Sequence, residues 1–187
     1  MHIQLSTILS GHDAPRWLRW VWSGARPDDT ATQRRKLMMS NASAGLMMLV
    51  IALYNLAYFL IGNPALIRSG LAQLPFALAA PLIWWLQSRR EPTLARWVLF
   101  GLAMGGCAAA IVGGQGTAAH AHIYFLLFAV MAVCFFPTAQ WQSAALLAAV
   151  NLGAFVTMKV HGWPADPAMA LLSPSTLLSL QLTMQAG

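Results

Sequence analysis

The side chains best suited to chemistry are three histidines and one aspartate in two loops of a largely apolar chain. His120 and His122 follow a Gly-rich hinge, and His161 and Asp166 lie in a later loop. Three imidazoles and a carboxylate form an N,N,N,O ligand set that suits zinc, nickel or copper. Because residues two apart point to different sides of a regular helix, joint chelation by His120 and His122 requires a non-helical backbone. The pattern predicts a divalent-metal site.

Two other interpretations of these histidines remain open. In one, His122 caps the following helix or bonds a backbone carbonyl, while His120 and His161 are hydrated among lipid headgroups. In the other, the same surface forms a pocket for a small molecule. In each case the histidines make this surface sensitive to pH near neutrality. The sequence contains no recognisable catalytic residues.

Composition determines which elements must position these residues. Of the 187 residues, 58% are hydrophobic and only 9% are charged, whereas soluble domains carry about a quarter charged residues. The fold class predicted is all-α, a polytopic membrane protein with a six-transmembrane-helix bundle at residues 41–187. A basic, Trp-rich cytoplasmic leader at residues 1–40 precedes it. The predicted spans cover about 43–60, 71–86, 97–113, 122–136, 141–158 and 169–184.

The distribution of positive charge predicts the orientation. If the spans alternate, Arg68 and Lys159 lie on one side, and the remaining lysine and arginines lie on the other: Arg16, Arg19, Arg26, Arg34, Arg35, Lys36, Arg89, Arg90 and Arg96. The positive-inside rule then gives cytoplasmic N- and C-termini and places the histidine loops outside. The rule explains the net charge of +6 better than nucleic-acid binding, so no nucleic-acid partner is expected.

Within the spans, two sets of residues could have specific roles. Polar groups at membrane depth usually face the bundle interior, where they either hydrogen-bond between helices or line a pocket for a lipid-like ligand. The pocket set is Asn55, Gln73, Tyr124 and Asn151. A second set recurs every four residues and allows close helix approach, either within the chain or at a dimer seam. It comprises Gly101, Gly105, Ala109 and Gly113.

Several short motifs occur together between Leu86 and Trp163. They are Arg89 and Arg90, Ala95 and Arg96, the hinge Gly113–Gly116, His122 with Tyr124 and Phe125, and the pair Phe135 and Phe136. This region resembles the six-transmembrane N-terminal sensor or anchor module of bacterial class III adenylate/guanylate cyclases and of related sensor histidine kinases. The sequence departs from that group at two places. His120 stands where the group usually has a small residue, and Ala132–Val133 stand where a proline is common.

The resemblance implies a homodimeric module in the bacterial inner membrane that transmits an outer or intramembrane stimulus to a cytoplasmic output domain. The chain is accordingly expected to end before a cyclase or kinase domain, so neither enzymatic activity resides in it. The alternative is a small multi-pass transporter or channel subunit. No acidic residue lies within a predicted span, which disfavours proton- or sodium-coupled transport.

Overall fold

The computed structural model describes residues 16–117 and 120–171. Over these residues it is a helical bundle without β-strands. The six α-helices are α1 (Ala31–Ile61), α2 (Pro64–Ala79), α3 (Pro81–Ser88), α4 (Pro92–Ala110), α5 (Ile123–Phe135) and α6 (Trp141–His161). The 3-10 helices Arg16–Trp22, Thr138–Gln140 and Pro167–Leu171 and a π-helical turn, Ile111–Gln115, complete the described part.

Four helical segments in the described part are long and apolar enough to cross a membrane. They are Ala31–Ile61, Pro64–Ser88, Pro92–Gln115 and Thr138–His161. The shorter apolar helix α5 coincides with the fourth predicted span. The all-α class is therefore confirmed, together with helices compatible with a membrane protein. The six-span count and the orientation stay predictions, and nearly all of the sixth predicted span lies outside the described residues.

Helix α1 begins well before the apolar run that predicted it. The Thr30 hydroxyl accepts a hydrogen bond from the Gln33 amide at 3.2 Å, and the Gln33 side chain accepts one from the Thr30 amide at 2.8 Å. This reciprocal capping box satisfies two backbone donors that a helix start otherwise leaves free. The last quarter of the basic leader, residues 31–40, is thus helical and continuous with the first predicted span.

The second predicted span is broken, as its prolines indicate. Helix α2 ends at Ala79, and α3 begins at Pro81. Pro81 has no amide hydrogen to donate to a carbonyl one turn earlier, so the helical hydrogen bonds are interrupted there, although Ala80 itself keeps a helical φ of −58°. Pro75, by contrast, lies inside α2.

The small-residue face of α4 packs mainly within the chain. A Cβ added at Gly105 would collide with the ring of Phe76 in α2, and one added at Gly113 would lie 3.0 Å from the Ser69 Cα. Gly101 faces open space. The predicted close approach therefore occurs between α2 and α4 at Gly105 and Gly113, and Gly101 contributes nothing to it.

The helices bring the polar segments of the chain to two opposite ends. The histidine end comprises residues 58–69, 110–117, 120–122 and 158–171, and the basic end comprises residues 16–36, 87–96 and 136–140. Between them, large apolar side chains remain exposed on the outside of the bundle, including Leu46, Leu53, Leu78, Val133 and Val150. An apolar exterior between two polar ends is the arrangement expected of helices surrounded by lipid.

Candidate functional site

The histidine end is built around a distortion at the end of α4. Residues Ile111–Gln115 form a π-helical turn, and Gly114 has a φ of 148°. A Cβ at Gly114 would lie 2.8 Å from the Ala65 carbonyl oxygen, so both the backbone conformation and the space require glycine. The distortion ends the helix against α2 and directs the chain into the loop that carries the histidines.

Two hydrogen bonds between backbone groups join this loop to the segment after α6. The Asp166 amide donates to the Gly114 carbonyl at 2.9 Å, and the Thr117 amide donates to the Trp163 carbonyl at 3.0 Å. The Trp163 amide in turn donates to the Thr117 hydroxyl at 3.1 Å. Residues 114–117 and 163–166 therefore form one connected unit, which we call the loop clasp.

His122 lies beside the loop clasp and is almost completely buried. Its side chain is 4% exposed and stacks on Phe155 of α6, with ring centroids 5.8 Å apart. Its Nδ1 atom is buried without a hydrogen-bond partner in the described part of the chain. Burial lowers the pKa of His122, and the nearby His120 and Lys159 lower it further. The site therefore favours the neutral form of the imidazole and leaves one of its polar atoms without a partner.

A buried amide–phenol pair lies next to the same turn. The Gln115 Nε2 donates to the Tyr58 hydroxyl at 2.6 Å, and both side chains are nearly inaccessible. The Gln115 Oε1 is buried and has no partner among the described residues. A second unsatisfied polar atom thus lies at this end, where each such atom costs about 1–3 kcal/mol.

The four predicted metal ligands do not form a set. The rings of His120 and His122 lie 6.0 Å apart, and His120 has a left-handed φ of 59°, so the non-helical backbone required by the prediction is present. Asp166, however, accepts hydrogen bonds from the Arg68 guanidinium and from the Ala168 amide. His161 is exposed at the end of α6. Within residues 16–117 and 120–171, no three His, Cys, Asp or Glu side chains are grouped to hold a metal ion.

The polar residues predicted to line an intramembrane pocket mainly bond their own helices. The side-chain amides of Asn55, Gln73 and Asn151 donate to the carbonyls of Ile51, Ser69 and Leu147, each one turn earlier. The Asn55 oxygen also lies over Gly70 of α2, as expected for a side chain that faces another helix. Tyr124 stacks on Phe128, with ring centroids 6.4 Å apart. The amide pairing favours the structural interpretation for these positions.

Sequence reasoning missed Gln115 and Tyr58 at this end and Gln87 and Arg96 at the other. Gln115 interrupts the glycines of the hinge, and a long amide in such a segment is a signal that could have been used. Tyr58 lies three residues after Asn55 in the first predicted span, and that helical spacing is the corresponding signal. Arg96 was considered only for its charge and for the resemblance, although it is 6% exposed and its guanidinium carbon lies 6.0 Å from the centroid of the Phe136 ring.

Comparisons with protein-family models, curated proteins and solved structures found no match to this chain. The functional argument therefore rests on the geometry of the two ends of the bundle.

Proposed function

We propose that the chain is a membrane-embedded sensory and anchoring module whose receiving site is the histidine end. The observation that carries the proposal is the loop clasp beside His122 and its unpartnered Nδ1. A proton or ligand on this imidazole changes the charge or bonding of a buried group. Because a buried charge is costly, the surrounding loops must rearrange to accommodate it.

The loop clasp provides a route from this site toward the C-terminus. Residues 163–166 lead directly into the 3-10 helix Pro167–Leu171, and the Asn63 side chain donates to the Ala168 carbonyl at 2.7 Å. Met169 packs with Tyr58 and Leu66. Movement at the hinge would therefore shift the segment that begins the sixth predicted span. Signalling further requires two states of the bundle with different affinities for the stimulus.

The rest of the proposal concerns the orientation, the oligomeric state and the output domain, and it follows what the sequence led us to expect. The histidine end faces outward, the basic end faces the cytoplasm of a bacterial inner-membrane protein, and two copies form a homodimer. The output is a class III nucleotide cyclase or a histidine kinase joined to the C-terminus. The charge distribution supports this part of the proposal. So does the contact between Arg96 and Phe136, which both belong to the motifs that carry the resemblance.

Amide hydrogen exchange in the purified protein tests the coupling. His122→Arg places a permanent charge at the receiving site, and we expect faster exchange at the Thr117 and Asp166 amides as the clasp opens. His122→Phe preserves the stacking on Phe155 and should leave both amides protected. His161→Arg, at an exposed site, is the matched control for charge. Unchanged exchange in His122→Arg would contradict the proposed route.

The reading frame beyond Gly187 tests the output. A cyclase or kinase domain there should differ in activity between the His122→Arg and His122→Phe proteins. A stop codon directly after Gly187, with solute flux through proteoliposomes of the purified chain, would instead support a transporter subunit.

A further inference from the structure

A cavity of about 200 Å³ lies at the basic end, where the N-terminal segment meets the α3–α4 loop. The charged residues in its wall are Arg26, Arg90, Arg96, Asp28 and Asp29, and its side-chain amides are Gln33 and Gln87. The cavity is separate from the histidine end and from the loop clasp. Any ligand it holds is therefore distinct from the stimulus discussed above.

The cavity is formed by a defined attachment of the N-terminal segment. The Asn41 side chain donates to the carbonyls of Val21 and Ser23, each at 3.0 Å. Gly24 has a φ of 88°, and a Cβ there would lie 2.7 Å from the Gln87 carbonyl oxygen. Glycine thus lets the segment approach α3 closely, which places Arg26 opposite Arg90 and Arg96.

Within the described part of the chain, none of the guanidinium groups around the cavity forms an ion pair with a carboxylate. The ion pair present there joins Arg68 and Asp166, at the other end of the bundle. Arg96 is 6% exposed, and its buried Nε has no hydrogen-bond partner among the described residues. Gln87 is 3% exposed, and neither polar atom of its amide has a partner there. Buried donors of this kind are normally satisfied, so the wall lacks an acceptor.

The charge of the wall indicates the kind of acceptor. Three guanidinium groups face two carboxylates, and the Asp29 carboxylate already accepts a hydrogen bond from the Arg26 amide at 2.8 Å. The excess is a single positive charge, which matches a phosphodiester better than a doubly charged phosphate monoester. Guanidinium forks match the geometry of phosphate oxygens. Arg96 lies one turn into α4, at the end of the bundle where the apolar side chains Leu94 and Trp85 are exposed, as expected where helices meet the headgroup layer.

We propose that this cavity binds a singly charged phosphodiester group, either the headgroup of a phospholipid or a soluble phosphodiester. Arg96 and Arg90 supply the charge-assisted donors, and Arg26 closes the site from the N-terminal segment. Binding would attach residues 16–30 to the α3–α4 loop.

Binding to the purified full chain tests the proposal, with glycerophosphoglycerol and inorganic phosphate as soluble probes and nanodiscs of phosphatidylglycerol in phosphatidylcholine as the lipid probe. We expect saturable binding that Arg90→Gln weakens at least about tenfold, which corresponds to 1.4 kcal/mol. Arg89→Gln is the matched control, because it removes the same charge from the adjacent residue, whose guanidinium lies 5.2 Å from the centroid of the Trp85 ring. It should change the affinity less than about twofold.

Arg96→Gln should abolish binding, and its thermal unfolding shows whether the fold persists. Arg90 is exposed, so Arg90→Gln keeps the test valid if Arg96→Gln does not fold. Binding of glycerophosphoglycerol with this variant pattern identifies a soluble phosphodiester site, and the same pattern confined to nanodiscs identifies a lipid site. Equal weakening by Arg89→Gln and Arg90→Gln, tighter binding of inorganic phosphate, or no saturable binding would each overturn the proposal.

Discussion

His122 combines a buried ring with a nitrogen that has no partner, and this gives the stability of the bundle a specific pH dependence. The pKa of His122 is lowered on folding, from an unfolded value of about 6.5. The unfolded chain then binds the proton more readily than the folded chain. His122 therefore costs no stability above about pH 6.5 and destabilises the fold progressively as the pH falls below it.

We therefore predict that the midpoint of thermal unfolding of the detergent-solubilised protein falls between pH 7.5 and pH 5.5. His122→Phe retains an aromatic ring against Phe155 and should remove most of this fall. His161→Phe, a substitution at an exposed histidine, should leave the fall unchanged. Scanning fluorimetry of the tryptophans measures all three proteins. An equal fall in the wild-type and His122→Phe proteins would assign the pH dependence to other groups.

The Tyr58–Gln115 pair makes a second prediction at this scale. Tyr58→Phe leaves both polar atoms of the buried Gln115 amide unsatisfied and should lower the free energy of unfolding by about 1–3 kcal/mol. Tyr54→Phe changes the same group one helical turn away and should cost less. Combining Tyr58→Phe with Gln115→Leu should cost less than the sum of the single variants, because the unpaired amide is removed. Strict additivity would argue against the hydrogen bond.

At the scale of helices, α2 and α4 approach closely at Gly105, whereas Gly101 on the same helix faces open space. We predict that Gly105→Ala destabilises the protein by about 1–3 kcal/mol through the collision with Phe76. Gly101→Ala should instead be neutral or stabilising by up to about 1 kcal/mol, since alanine favours the helix. Chemical unfolding in detergent provides the comparison. A larger loss for Gly101→Ala would indicate that a second copy of the chain packs there.

The sequence predicted the helices better than it predicted their ends. Apolar runs located α1, α4, α5 and α6, because burial in lipid or protein requires continuous apolar sequence. The start of α1 at Ala31 depends instead on the side chains of Thr30 and Gln33, which hydropathy does not register.

The candidate site was predicted in part. The hinge and the loop after α6 were expected only to lie on the same side of the membrane, and in the structure backbone hydrogen bonds join them. The partners of individual side chains were not predicted. Arg68 and Asp166, for example, are distant in sequence and are brought together only by the fold. Gln115 and Tyr58 pair for the same reason.

For the whole molecule, the separation of the two ends leads to a prediction about topology. In a protein with Cys107→Ala and Cys134→Ala, we expect His161→Cys to react with a membrane-impermeant maleimide in intact cells. Arg35→Cys, at the basic end, should react only after the cells are permeabilised, as the positive-inside rule requires. The reverse labelling pattern would show that the protein has the opposite orientation in the membrane. Reaction of both in intact cells would contradict a membrane between the two ends.

Helix α5 is shorter than the four helical segments that are long enough to cross a membrane. Its 13 residues span about 20 Å, while a typical hydrocarbon core is about 30 Å thick. Val130 and Val133 on this helix are exposed, so lipid on this flank would meet too little apolar surface. Crossing of the bilayer by α5 would require the adjacent leaflets to thin locally, and the elastic cost of that deformation would fall where the flank faces another protein or a thinner membrane. The flank of the bundle formed by α5 would therefore favour a thinner bilayer than the flanks formed by the long helices.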